Sequence, residues 1–169
     1  MSSKREQKNR RIAYYGVLVT LALVASYVEM LIPISVGIPG AKIGLANLVT
    51  MIALFLMGWK DAVAISVIRI VLSGFLFGNL FAIFYSLAGA ILSLLIMLLL
   101  KKLDFGIVAV STAGGVFHNV GQILFAVFLV ENTKLFYYLP ILLISGVVAG
   151  VFIGWIGGQL ILRLRGVFL

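Results

Sequence analysis

The sequence predicts an all-helical membrane protein that crosses the bilayer six times. Of its 169 residues, 63% are hydrophobic and only 11% are charged, whereas soluble domains carry about 25% charged residues. The mean hydropathy is +1.24, and the apolar runs do not alternate in polarity as the strands of a transmembrane barrel do. Six spans of roughly 20 residues use most of the chain. We therefore expect a basic N-terminal arm, residues 1–11, followed by one transmembrane domain, residues 12–169.

The spans are predicted from the apolar runs and the polar breaks between them. The first run, Ile12 to Pro33, is too long for a signal-peptide core and predicts a retained span. The segment that follows, up to Gly44, contains Pro39-Gly40 and predicts a turn or a partly inserted loop. A tight turn is expected at Lys60-Asp61, and a first-turn proline at Pro140. The other five runs are Leu45 to Trp59, Ala62 to Gly78, Leu80 to Leu100, Phe105 to Val130 and Phe136 to Leu162.

The distribution of basic residues predicts the orientation of these spans. In the six-span arrangement ten Lys and Arg residues lie on one side, two lie on the other, and Arg69 lies within a span. By the positive-inside rule both termini are expected in the cytoplasm of a cell-membrane protein. The net charge of +8 then indicates contact with anionic lipid headgroups instead of nucleic acid.

Several chemistries are excluded by residues that the sequence lacks. The chain has no cysteine, hence no disulfide or thiolate site. It has no Gly-Lys dipeptide, as a Walker A loop requires, and no Asp-Asp pair of the kind that holds magnesium diphosphate in prenyl synthases. A single histidine, His118, has no acidic residue in its own span to complete a catalytic triad. We therefore expect no enzymatic activity from this chain alone, and no metal or cofactor site.

Polar residues inside the predicted spans are the candidates for a functional site, because ionisable groups at membrane depth are costly. His118, Asn119 and Gln122 lie within one helical turn of the fifth span. Such a cluster either binds a solute or only joins helices through hydrogen bonds. The candidate substrate-binding residues are Lys42, Asn47, Arg69, His118, Asn119 and Gln122.

For Arg69 and Lys42 the sequence allows two roles each. Arg69 could contact a ligand or form a buried structural ion pair with Glu29. Lys42 could face the same site or be an exposed loop lysine. If Lys42, Arg69 and His118 face one cavity, we expect an anionic or electron-rich solute.

Small residues at four-residue spacing predict close helix contacts. In the sixth run they are Gly146, Gly150, Gly154 and Gly158. This stripe is expected either to pack against another helix of the same chain or to dock a partner subunit. Ala22 and Ser26 form a shorter pair of the same kind in the first run.

Three segments and Arg69 together resemble the Gx transporter family, which is also catalogued as heptaprenyl diphosphate synthase component I. The resemblance extends roughly from the first to the fifth helix. The segments are Pro39-Gly40-Ala41-Lys42-Ile43-Gly44-Leu45-Ala46-Asn47, Phe84-Tyr85-Ser86-Leu87-Ala88-Gly89 and Gly114-Gly115-Val116-Phe117-His118-Asn119-Val120-Gly121-Gln122.

That family is similar to the substrate-binding S components of energy-coupling factor transporters. The resemblance implies a six-helix S-component-like bundle that binds a vitamin-like solute from outside and docks onto a transmembrane coupling subunit driven by two ATPases. It also implies docking through Ala22 and Ser26, although the family more usually has alanine at the second position. Relatives accompany flavin- and quinone-linked electron transfer, which suits a flavin-type or isoprenoid ligand.

The sequence thus predicts a substrate-binding component of an energy-coupled transporter, with coupling subunit and ATPases supplied by other chains. The alternative is a non-catalytic membrane partner of a prenyl diphosphate synthase or of a quinone or flavin redox assembly. A stand-alone secondary carrier is a third hypothesis.

Overall fold

A computed structural model describes residues 4–31 and 44–168, and all the regular secondary structure in these residues is helical. A 3₁₀ helix, Thr133–Tyr138, precedes the last α-helix. The six α-helices are α1 (Lys4–Leu31), α2 (Leu45–Leu56), α3 (Trp59–Phe77), α4 (Leu80–Lys102), α5 (Ile107–Val130) and α6 (Leu139–Phe168). The predicted all-helical class and the number of helices are therefore confirmed.

Four segments are long and apolar enough to cross a membrane, which supports a membrane protein. They are Asn9–Leu31, Leu80–Lys102, Ile107–Val130 and Thr133–Gly166. The 12-residue helix α2 is only about 18 Å long at 1.5 Å per residue, against roughly 30 Å of hydrocarbon. Helix α3 carries three charged residues, Lys60, Asp61 and Arg69. The count of six full spans therefore stays a prediction.

Helix α2 lies at the centre of the bundle, in contact with α1, α3 and α6. Its residues Met51 and Leu54 are almost fully buried, in one apolar cluster with Ala22 of α1, Ile65 of α3 and Ile153 of α6. Burying such a side chain away from water stabilises a soluble protein by about 1.5 to 3 kcal/mol. In a bilayer the stabilisation comes mainly from close packing of the helices. The short helix is thus held by its neighbours and not by the bilayer.

The turn between α2 and α3 differs from the predicted one. The chain turns at Gly58, whose φ of 111° favours glycine, so Lys60 and Asp61 belong to the first turn of α3. Asp61 is 3% exposed. Its Oδ1 accepts hydrogen bonds from Arg11, at 2.5 Å, and from the Tyr15 hydroxyl. The predicted turn was wrong because this acidic residue binds the basic end of α1 instead of facing water.

The ends of the terminal helices also lie outside the predicted limits. Helix α1 begins at Lys4, within the basic arm, and α6 continues to Phe168. Pro140 occupies the first turn of α6, as expected. The Asn79 side chain accepts a hydrogen bond from the Ala82 N–H at 2.8 Å and so caps α4.

The glycine stripe of α6 packs against α5 of the same chain. A Cβ on Gly146 would lie 2.9 Å from the Val116 Cα, and a Cβ on Gly154 would lie 2.8 Å from the Val108 Cα. The two backbones approach this closely because neither side of the contact has a side chain in the way. Of the two predicted roles of the stripe, packing within the chain is the one observed.

Replacement of a stripe glycine tests this contact. A Cβ on Gly150 would lie 2.5 Å from the Thr112 Cα and 2.9 Å from the Ser111 carbonyl oxygen. We expect Gly150→Ala to lower the free energy of unfolding by about 1–3 kcal/mol, because backbone atoms must move apart. Thermal unfolding of the purified protein in detergent measures the effect.

Gly158→Ala is the matched control. The nearest atom to a Cβ there is the Ile107 Cγ2, at 4.0 Å, and alanine is a better helix former than glycine. We expect an unchanged or higher melting temperature. Equal destabilisation by both substitutions would contradict the packing assigned to the stripe.

Candidate functional site

All six α-helices contribute residues to one partly open cavity of about 230 Å³. Ser26 and Glu29 line it from α1, and Ser86 lines it from α4. Ala149 and Ile153 form its α6 side. A cavity of this size is many times the roughly 10–15 Å³ of probe-occupied volume that one water molecule needs.

Facing polar side chains of α2 and α3 form one wall of the cavity. Asn47 and Thr50 lie one turn apart on α2, while Ser66, Arg69 and Ser73 follow the same spacing on α3. Arg69 is only 9% exposed, and its Nη2 donates a hydrogen bond to the Asn47 Oδ1 at 3.3 Å. The asparagine thereby orients the guanidinium at the cavity surface.

Three polar atoms of this wall are buried and have no hydrogen-bond partner among the residues that the structure describes. They are the Thr50 Oγ1, the Ser66 Oγ and the Arg69 Nε. An unsatisfied buried donor costs about 1–3 kcal/mol, and more when the group is charged. Because the three atoms come from adjacent turns of α2 and α3, a molecule in the cavity that carries acceptor atoms could satisfy them together.

Glu29 adds a negative group to the same cavity. Its Oε1 accepts a hydrogen bond from the Leu45 N–H at 2.6 Å, at the first residue of α2. A helix N-terminus carries partial positive charge and stabilises a carboxylate there. No ion pair joins Glu29 to Arg69 in residues 4–31 and 44–168. Of the two alternatives for Arg69, the ion pair with Glu29 is not observed, and each residue makes its own hydrogen bond.

The predicted polar cluster of α5 divides into two roles. Asn119 is buried, and its Nδ2 donates to the Leu142 carbonyl oxygen at 2.7 Å and lies 3.4 Å from the Ser145 Oγ. This residue therefore joins α5 to α6. Gln122 is 3% exposed and lines the cavity, and its side chain makes no hydrogen bond to any other residue that the structure describes. His118 lines the cavity one turn away.

The structure brings five of the six predicted substrate-binding residues to the cavity. They are Asn47, Arg69, His118, Asn119 and Gln122. Lys42 lies outside the described residues. Sequence analysis missed Glu29 as a lining residue of the same cavity, together with the hydroxyls of Thr50 and Ser66. A usable signal was present, since Thr50 follows Asn47 by three residues and Ser66 precedes Arg69 by three.

The small residues predicted to dock a partner are mostly inside the bundle. Ala22 is 0% exposed. The Ser26 hydroxyl donates to the Ala22 carbonyl oxygen at 2.9 Å and faces the cavity. The stripe of Gly146, Gly150, Gly154 and Gly158 lies against α5. This arrangement leaves Ala22 no surface for a partner, because a small side chain permits close packing inside a bundle as readily as between subunits.

Asn119 of α5 and Gln159 of α6 allow a test of the hydrogen bond that joins these two helices. We expect Asn119→Ala to lower the free energy of unfolding by about 0.6–1.7 kcal/mol, the range found for hydrogen bonds between membrane helices. Gln159 on α6 is exposed, so Gln159→Ala is the control and should leave the melting temperature unchanged. Thermal unfolding in detergent compares the two. An unaffected Asn119→Ala protein would mean that this amide does not join α5 to α6.

Within the described ranges, no group of three His, Asp or Glu side chains could hold a metal ion. The polar groups of the cavity are hydroxyls, amides, one imidazole, one guanidinium and one carboxylate. Such a set is able to hold a polar solute by hydrogen bonds and charge, as small-molecule sites with a few placed polar groups do.

Comparison with known proteins gives one match. The sequence model of the family described as heptaprenyl diphosphate synthase component I matches residues 18–160. No curated protein and no solved structure matches the chain. The matched region begins within α1, ends within α6 and includes every described residue that lines the cavity. The chain therefore belongs to the heptaprenyl diphosphate synthase component I family.

Proposed function

We propose that this protein is the membrane-embedded substrate-binding component of an energy-coupled transporter of the energy-coupling factor type. Its solute is small and carries acceptor atoms, and the chain performs no catalysis by itself. The observation that carries the proposal is the cavity with three buried, unpartnered polar atoms on Thr50, Ser66 and Arg69. Groups that only joined helices would bond to each other, as Asn119 does to Leu142.

Energy for transport has to come from other chains. The sequence has no Walker A loop, and Glu29 is the one carboxylate that lines the cavity from the described residues, which gives little basis for ion coupling within this chain. A coupling subunit with two ATPases, as implied by the resemblance to S components, supplies ATP hydrolysis and couples it to transport. In this scheme the chain spans the cell membrane six times with cytoplasmic termini, binds its solute from outside, and reorients when the partner complex acts.

A second function is favoured by the family's name. A synthase component that lacks paired acidic residues cannot hold magnesium diphosphate itself, so it would serve as the membrane partner of a soluble prenyl synthase. The chain could equally serve as the membrane partner of a quinone or flavin redox assembly. In both cases the protein belongs to a complex of several chains, and the identity of the other chains separates the hypotheses.

Co-purification from the native membrane separates these functions. We expect the full-length chain to be recovered with a transmembrane coupling subunit and ATPases, identified by mass spectrometry. Recovery with a soluble prenyl synthase or with flavoproteins, and without ATPases, would refute the transport proposal. Solute uptake into vesicles that lack ATP and all partner chains would instead indicate a stand-alone carrier.

Replacement of the cavity arginine tests solute binding directly. We expect gently purified protein to retain a small molecule detectable by native mass spectrometry, and Arg69→Gln to reduce its retention at least tenfold. The reason is that a buried charge-assisted hydrogen bond contributes about 1.5–3 kcal/mol, and 1.4 kcal/mol corresponds to a factor of ten.

Arg163→Gln is the control, because Arg163 is exposed at the end of α6 and the substitution changes the net charge by the same amount. Retention by this variant should equal that of the unmodified protein. Equal retention by the Arg69→Gln variant, in a protein with unchanged helix content by circular dichroism, would contradict the assigned site.

A further inference from the structure

The size of the cavity limits what it can enclose. An apolar cavity of about 150 Å³ holds a benzene molecule, so about 230 Å³ accommodates a solute of roughly ten non-hydrogen atoms. Pockets for drug-sized ligands measure about 300–1,000 Å³. A three-ring flavin or a long isoprenoid chain is therefore larger than this volume. A short-chain or single-ring solute fits within it.

One end of the cavity accepts a group rich in acceptor atoms. Arg69 provides a positive charge and an unpartnered Nε–H, and the hydroxyls of Thr50 and Ser66 can donate beside it. Asn47 holds the guanidinium through its Nη2 and leaves the Nε free. A carboxylate presents two acceptor oxygens in a plane, which is the geometry that a guanidinium binds best.

The cavity also contains a group that favours a positive charge. Glu29 lines it with a carboxylate whose Oε1 is bonded to the Leu45 N–H, and a carboxylate can accept several hydrogen bonds in all. Its charge is not neutralised by an ion pair with Arg69. The opposite formal charges of Glu29 and Arg69 thus face the same hollow separately.

From these observations we propose that the cavity binds a small zwitterion, a solute of amino-acid type with its carboxylate at Arg69, Thr50 and Ser66 and its ammonium group at Glu29. This inference rests on the proposed solute-binding function. A zwitterion leaves the sum of charges in the cavity unchanged, because each end meets the opposite charge. A simple anion would bring a second negative charge near Glu29, and a diphosphate would bring several, which a low-dielectric site disfavours.

Thermal unfolding of the full-length protein in lipid nanodiscs tests the charge preference. The probes are the standard amino acids and an unbranched series from glycine to 6-aminohexanoate, each compared with its N-acetyl derivative and its methyl ester. Acetate and isopentenyl diphosphate represent anions without an amine. We expect at least one free amino acid to raise the melting temperature, and both of its derivatives to bind at least tenfold more weakly.

Charge-neutral variants then assign each end of the solute. Glu29→Gln should lower the affinity for the free amino acid at least tenfold. The affinity for the N-acetyl derivative should stay the same or increase. Arg69→Gln should lower the affinity for both compounds. Glu131→Gln is the matched control, since Glu131 is exposed, and it should change neither affinity. If a variant fails to fold, binding of the N-acetyl and methyl ester derivatives to the unmodified protein still tests the charge preference.

The outcomes distinguish this inference from the function on which it rests. Equal or tighter binding of an N-acetyl derivative, acetate or isopentenyl diphosphate would overturn the zwitterion and leave a solute-binding protein. So would a retained native solute that contains no amine. If no probe binds and purified protein retains no solute, both the inference and the proposed function fail.

Discussion

The hydrogen-bonding demand of one buried guanidinium organises the centre of this protein. Arg69 lies in a bundle whose surroundings are hydrocarbon, where a charged group is stable only beside polar partners or in a hydrated cavity. One partner is Asn47 of α2, at 3.3 Å, and the Nε has none. A structure selected only for stability would remove this cost with an apolar residue. The cavity beside Arg69 therefore accounts for both the arginine and the hydroxyls around it.

The rest of the fold creates this cavity by combining tight and loose packing. Close contact between α5 and α6, through Gly115, Gly146 and Gly150, makes a compact side where backbones nearly touch. The short α2 meets the other side and ends well before it could cross the bilayer. Lys101 of α4 donates to the Leu54 carbonyl oxygen at 2.6 Å and so satisfies one of the last carbonyl groups of α2, which has no partner within the helix. The space beside α2, lined also by the other five helices, forms the cavity.

Much of this arrangement could be predicted because polar residues are rare in apolar runs. Asn47, Arg69 and Gln122 each interrupt a hydrophobic segment, and all three line the cavity. Thr50 and Ser66 were not predicted, although each lies one helical turn from a candidate residue, because hydroxyls in membrane helices commonly bond to a backbone carbonyl one turn earlier. The burial of Ala22 was not predicted either, because the spacing of small residues reveals that a helix face is small but not which helix covers it. The start of α3 was misplaced because Asp61 has its partner 50 residues away in sequence, at Arg11.

Helix α1 links the cavity to the outside of the bundle. It is the least buried of the four helical segments long enough to cross a membrane, with 11% of its span buried. Polar contacts hold it near both ends, through Arg11 and Tyr15 to Asp61 and through Glu29 to Leu45. A solute that bonds to Glu29 adds a contact to the helix that has the weakest packing. Occupancy of the cavity would therefore favour the position of α1 seen here, and this dependence gives a partner chain in contact with α1 a physical means to distinguish the loaded from the empty protein.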